Sequence, residues 1–220
     1  MKTISLVERK EWIYSHIIYQ RVLHAGATDY PITKMKADSD QLLHIQLQGK
    51  CKQLVGIDIE KTSIKFLQKE YGITDIIEGD LEKLTLYFEK NYFDLVIAGD
   101  VIEHISNIGL FFNGAREILL PEGKLIITVP NTFSIKRFLG VIFLRQERNH
   151  PDHLYHFSPM NLQQAAWRFG FEIIEMASFI YSDSERKVNQ RVNKIVQGIL
   201  WITRNNFLAD ELAIVMKKRV

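Results

Sequence analysis

Four residues able to hold a small ligand each close a short apolar run. Gly26 follows Arg21-Val22-Leu23-His24-Ala25, Asp58 ends Leu54-Val55-Gly56-Ile57, Asp80 follows Ile76-Ile77-Glu78-Gly79, and Asp100 follows Phe93 to Gly99. A glycine at a strand end turns tightly and lets a ligand approach the backbone. A carboxylate there can accept two hydrogen bonds from vicinal hydroxyls, so Asp58 reads as a ligand for a ribose diol; capping the following turn is its plainer role. Asp80 stands at the same kind of strand end, where its plainer role is to hold its own loop as an Asx turn.

A second set is rich in histidine. His104 follows Glu103, and His150, Asp152, His153 and His156 crowd a later stretch. Histidine titrates near neutral pH, which makes His104, His153 and His156 candidate bases. Imidazoles with a carboxylate also suggest zinc or iron. Positions three apart face opposite ways in an extended segment and share a face only in a turn or helix. A metal needs the shared face plus further ligands that the lone Cys51 cannot supply. The expectation is no metal, with one histidine, His156 by preference, facing an acceptor. Lys136, Arg137, Arg145 and Arg148 nearby could attract a phosphorylated or acidic acceptor.

Bounded apolar runs read as strands buried on both faces. Strands are expected near 21–25, 54–58, 75–78, 93–98 and 124–129, alternating with helices, the doubly wound α/β pattern. In such a sheet ligands lie outside the carboxyl ends of the strands, where strand order reverses. An amphipathic helix is expected over 4–19 and a loop over 29–39. Capping is assigned to Asp38 or Ser39 for one helix and to Thr62 or Ser63 for the next. Helices follow near 107–119 and 159–169, the latter ending at Gly170. Two late strands, 171–176 and 211–216, are expected to pair, with a helical insertion over 184–204. Residues 132–158 show no clean period and read as a mobile cover over an acceptor pocket.

The bulk numbers set limits. The 220 residues suffice for one α/β domain, and 46% hydrophobic with 25% charged content is ordinary for a globular protein. A net charge of +2 gives no argument for nucleic acid. One cysteine excludes an internal disulfide framework. No basic region followed by an apolar one opens the chain, and Phe138 to Leu144 is too short to span a bilayer. The expectation is a cytoplasmic protein with no transmembrane segment.

With the carboxylates in this order, the chain resembles the class I S-adenosylmethionine-dependent methyltransferases, in their small-molecule, type 11/23-like branch. Val22-Leu23-His24-Ala25-Gly26 looks like the first motif, Gly56-Ile57-Asp58-Ile59 the second-strand acidic motif, and Gly79-Asp80-Leu81 the adenine-contacting motif. Asp100-Val101-Ile102-Glu103-His104-Ile105 and Leu120-Pro121-Glu122-Gly123 through Pro130-Asn131 resemble the fourth- and fifth-strand motifs. The resemblance implies a Rossmann-like, seven-stranded, mostly parallel sheet with helices on both faces and an antiparallel C-terminal strand, in a single domain over 1–220. It implies S-adenosyl-L-methionine bound by His24, Ala25, Gly26, Asp58, Ile59, Asp80, Leu81, Gly99 and Asp100, Asp100 at the methionine portion. It implies O-methylation of a sugar, lipid or quinone-like small molecule.

The first motif is thinned: His24 stands at the usual acidic position, and only one glycine remains. Pyrophosphate would need closer approach of bare backbone, whereas S-adenosylmethionine carries no phosphate. Gly26 and Asp58 are also 32 residues apart (58 − 26), longer than the roughly 20 expected for nicotinamide binding. The competing readings are a methyltransferase-like fold that has lost catalysis and, more remotely, a nicotinamide oxidoreductase.

Overall fold

The computed structural model describes residues 4–18, 20–147, 150–181 and 187–219. Arg148 and the expected start of the late helix at 184 lie outside the described residues. In chain order the elements are β1 (Ile4–Leu6), α1 (Arg9–Ser15), β2 (Arg21–Ala25), α2 (Thr33–Asp38), α3 (Leu43–Leu47), β3 (Gln53–Asp58), α4 (Lys61–Tyr71) and β4 (Ile76–Glu78). After a 3₁₀ segment (Leu81–Leu86) come β5 (Phe93–Gly99), α5 (Ile108–Ile118), β6 (Leu119–Pro130), α6 (Ile135–Leu144), α7 (Pro159–Arg168), β7 (Phe171–Phe179), α8 (Lys187–Thr203) and β8 (Glu211–Lys218).

The sheet runs β1-β7-β8-β6-β5-β2-β3-β4, with β8 antiparallel to both β6 and β7 and the other pairs parallel. It has eight strands, not the seven expected. The extra one is β1, in a stretch expected to be helical: Ile4, Ser5 and Leu6 pair with Met176, Ala177 and Ser178. Backbone pairing with the open edge of β7 outweighs helix periodicity there, and the helix is left with Arg9–Ser15.

Central strands bury both faces. Leu23, Ala25, Val96 and Ile127 pack with Phe111 and Phe112 of α5, while Val22, Leu95, Ile97 and Ile126 pack with Trp12 and Ile13 of α1. Truncating a fully buried phenylalanine such as Phe111 would cost about 3–5 kcal/mol. Caps fix the helix starts. Ser158 and Asn161 form a reciprocal capping box with Pro159 in the first turn of α7. Gly170 (φ 82°) follows its end as expected.

Other expectations need correction. The cap of α4 is Glu60, whose carboxylate accepts from Thr62 N; Thr62 and Ser63 lie inside the helix. The helix after Ser39 begins at Leu43 with no side-chain cap, and the expected loop contains α2. The aperiodic stretch contains α6, whose only buried residue is Gly140. With Lys136 and Arg137 as its only charged residues, it offers too few polar positions to mark a period among its apolar ones. The segment carrying it leaves and rejoins the sheet at one place: Asn131 bridges Phe157, and Thr132 N donates to Phe157 O at 2.9 Å.

Candidate active site

Strand order reverses between β5 and β2, so the crevice outside their carboxyl ends is where a ligand belongs. Gly26 stands at its lip with φ +75°, and an added Cβ would lie 2.7 Å from Val101 Cγ2. Glycine is needed there on both counts. Asp58 Oδ2 accepts from Thr28 N and Thr28 Oγ1, each at 2.9 Å, and Oδ1 accepts from Glu60 N at 3.0 Å. It therefore shapes the Gly26 loop and the turn after β3, and a carboxylate with about four acceptor positions retains little spare capacity.

The structure places the other expected cofactor residues as follows. His24 turns into the interior, Nδ1 3.3 Å from His44 Nδ1, and His44 Nε2 lies 3.1 Å from Asp75 Oδ1. Burial, then His44, holds His24 well below the usual imidazole range. Ala25 is buried in the core and Ile59 stands exposed at the end of β3. Asp80 caps the 3₁₀ segment through Glu82 N at 2.9 Å and pairs with Lys83 at 2.9 Å; that lysine first, then the Glu82 amide, lower its pKa. Leu81 is buried behind it. A Cβ on Gly99 would meet Arg9 Nη2 at 2.8 Å.

Arg9, from α1, is a residue the sequence reading missed. Its Nη2 lies 2.9 Å from Asp100 Oδ2 and donates to Thr128 Oγ1 at 3.0 Å. Thr128 Oγ1 in turn donates to Asp100 Oδ1 at 3.1 Å. Burial works to lower the Arg9 pKa, but Asp100, then Asp29 and Glu211, outweigh it and raise it. Arg9 Nε is buried without a hydrogen-bond partner. A partly exposed guanidinium beside Asp100, a bare glycine loop and Asp58 on the next strand border one crevice.

Beside the crevice is a cavity of about 840 Å³ whose lining includes Asp100, Glu103, His104, Arg137, His153 and Glu211. Glu103 is 1% exposed, and neither carboxyl oxygen has a hydrogen-bond partner. Burial, then the Asp100 charge, push its pKa up to about 8. Burial and Asp100 likewise raise Glu211 well above the usual carboxylate range. Sequence reading met Glu103 only as part of a motif and Glu211 only as a strand start; burial singles them out.

The histidines divide. His104 and His153 face this cavity with ring centres 4.6 Å apart. Burial, then His104 and His150, push His153 down to about 4. His156 lines a second, apolar cavity of about 710 Å³ with Phe133 and Phe138, its Nε2 3.5 Å from Glu147 Oε1. One nitrogen from each of His104, His150 and His153 lies within 4.8 Å of the others, a grouping a cation could draw together. It takes His104 in place of His156, while Asp152 stands 3.7 Å from His150 Nδ1.

A methyltransferase-domain model matches residues 40–127, through the Asp58, Asp80 and Asp100 strand ends. Over those residues the chain is similar to the class I S-adenosylmethionine-dependent methyltransferases. It is 28% identical over 166 residues to a ubiquinone biosynthesis O-methyltransferase of Azorhizobium caulinodans, covering 71% of this chain and 58% of that one. It is 29% identical over 99 residues to the mitochondrial ubiquinone biosynthesis O-methyltransferase of Rattus norvegicus, 42% of this chain and 29% of the relative. The chain thus spans under two thirds of the length of either relative. In fold it is similar to a SAM-dependent methyltransferase from Archaeoglobus fulgidus, with TM-score 0.58, 16% identity and coverage of 95% and 94%. S-adenosylmethionine is the cofactor that this similarity implies. Among the described residues no helix is long and apolar enough to cross a membrane.

Proposed function

We propose that this methyltransferase domain moves a methyl group to an oxygen of a small acceptor, quinone-like by preference and a sugar or lipid otherwise. The observation that carries it is the junction at Asp100, which belongs both to the crevice with Arg9 and to the cavity with Glu103. In this reading Gly26, Asp58, Ile59, Asp80 and Leu81 hold the nucleoside, Gly99 and Asp100 border the amino-acid tail, and Arg9 takes its carboxylate. His24 and Ala25 act through the strand that positions Gly26. Bound there, S-adenosylmethionine supplies an electrophilic methyl group.

The chain's contribution is position, water exclusion and a proton acceptor. Glu103, at about 8, is matched to take a hydroxyl proton near neutral pH. His104 and His153 border the same space and can orient the acceptor; His156 faces the apolar cavity and suits a substrate tail. No step requires a metal. Arg137 supports an acidic acceptor, and residues 132–158 act as the cover.

The test is thermal unfolding with S-adenosylmethionine, its demethylated product and NAD. A ligand at about 100 times its dissociation constant adds about 2.7 kcal/mol. Stabilisation by both sulfur ligands and not by NAD is expected. No shift with either would favour a non-catalytic relative, a reading the thinned glycine motif and the internally bonded Asp58 also accommodate.

A further inference from the structure

The fold leaves α6 and α8 with a face that nothing described here covers. On α6, Phe138, Val141, Ile142, Phe143 and Leu144 are all exposed, Phe143 at 75%. On α8, Ile195, Trp201 and Ile202 are exposed, the last two at 82% and 75%. The helices are neighbours: Ile135 packs against the Val196 and Leu200 cluster, and Gly140 and Asn193 line one cavity. Scattered apolar residues on a surface need no explanation, but this density on adjoining helices does.

Charge narrows the partner. Residues 135–145 and 187–204 contain seven cations (Lys136, Arg137, Arg145, Lys187, Arg191, Lys194, Arg204) and no Asp or Glu. Without them the chain holds 21 Lys and Arg against 26 Asp and Glu, so the net positive charge of the sequence comes from these two segments. Lys136 is tied to Asp210 below the face, whereas Arg145, Lys194 and Arg204 are exposed. A second copy of the same face would set these cations against each other, because a two-fold contact is self-complementary.

We propose that the outer faces of α6 and α8 dock on the surface of a lipid bilayer carrying anionic headgroups. Apolar side chains enter the headgroup boundary, Trp201 sits at its level, and the cations meet the anionic lipid. The helices lie in the plane of the interface rather than crossing it. The cavity beneath α6 then opens beside the membrane, a placement independent of whether methyl transfer occurs there.

Flotation of the full chain with vesicles of phosphatidylcholine alone, and of phosphatidylcholine with phosphatidylglycerol, tests this. Binding to the mixed vesicles is expected, weakening as salt rises. Lys194→Gln should lower the partition coefficient about fivefold. Ile142→Ser with Ile202→Ser should abolish flotation while leaving thermal unfolding unchanged, since both side chains are exposed. No flotation with mixed vesicles overturns the proposal, as does flotation unaltered by these substitutions. A dimer that the double substitution dissociates, with no flotation, assigns the face to self-association and equally overturns it.

Discussion

Asp58 divides its carboxylate among Thr28 N, Thr28 Oγ1 and Glu60 N, so its removal acts twice. Asp58→Ala should weaken binding of the demethylated cofactor product about ten- to a hundredfold, from loss of a charge-assisted interaction of roughly 1.5–3 kcal/mol. It should also lower the unfolding temperature without ligand, because the loop loses its anchor. Calorimetry and a melt on one sample separate the two; unchanged affinity would remove Asp58 from the site.

Glu103 gives a pH signature. Its pKa rises from 4.5 to about 8 on folding, so the unfolded chain releases this proton first. Its contribution to stability is full below about pH 4.5 and is lost as pH rises towards 8. Between pH 5 and 8, wild-type stability should fall relative to Glu103→Gln, and parallel melting curves would refute the shift. If Glu103 takes the acceptor proton, the variant should also lose about 10²–10⁴ in turnover with donor affinity nearly unchanged. These residues illustrate what the sequence could and could not disclose. Asp58, Asp80 and Asp100 were legible because each follows a bounded apolar run. Arg9 was not: its partner Thr128 stands 119 residues away, and only the folded sheet brings them together.

Among elements, strands buried on both faces were the most legible, since composition alone marks Phe93–Gly99 and Gln53–Asp58. β1 was hidden because three residues carry no detectable period, and α6 because Lys136 and Arg137 alone break its apolar run. The Gly26 loop invites a direct test. Gly26→Ala combines φ +75° with a Cβ 2.7 Å from Val101, strain of order 1–3 kcal/mol. A clear drop in melting temperature and loss of ligand stabilisation are expected, and Val101→Ala should relieve the steric part only. Residues 132–158 close back on Phe157, and Leu154 N donates to Glu103 O at 2.8 Å. Hydrogen exchange in that segment should slow when cofactor product and acceptor are both present; slow exchange already in the free protein, unchanged by ligand, would end its role as a cover.

At the scale of the molecule, β8 joins the two parts of the sheet: β7 and β1 reach β6 only through it. Ending the chain before Glu211 should therefore abolish cofactor-product binding, although Gly26, Asp58 and Asp100 all remain, and calorimetry on the shortened protein would show it. β1 carries a consequence for how the protein is made. Ile4 pairs with Met176, 172 residues later (176 − 4), and β1 leads directly into α1, which brings Arg9 to Asp100. At about 5–20 residues per second on the ribosome, the first strand waits roughly ten to thirty seconds for its partner to be synthesised. Throughout translation of the central strands, the crevice stands without its arginine. The nascent chain thus lacks the edge that seats Arg9 beside Asp100 until β7 and β8 emerge, and in the proposed reading cofactor occupancy reports that synthesis has passed β8.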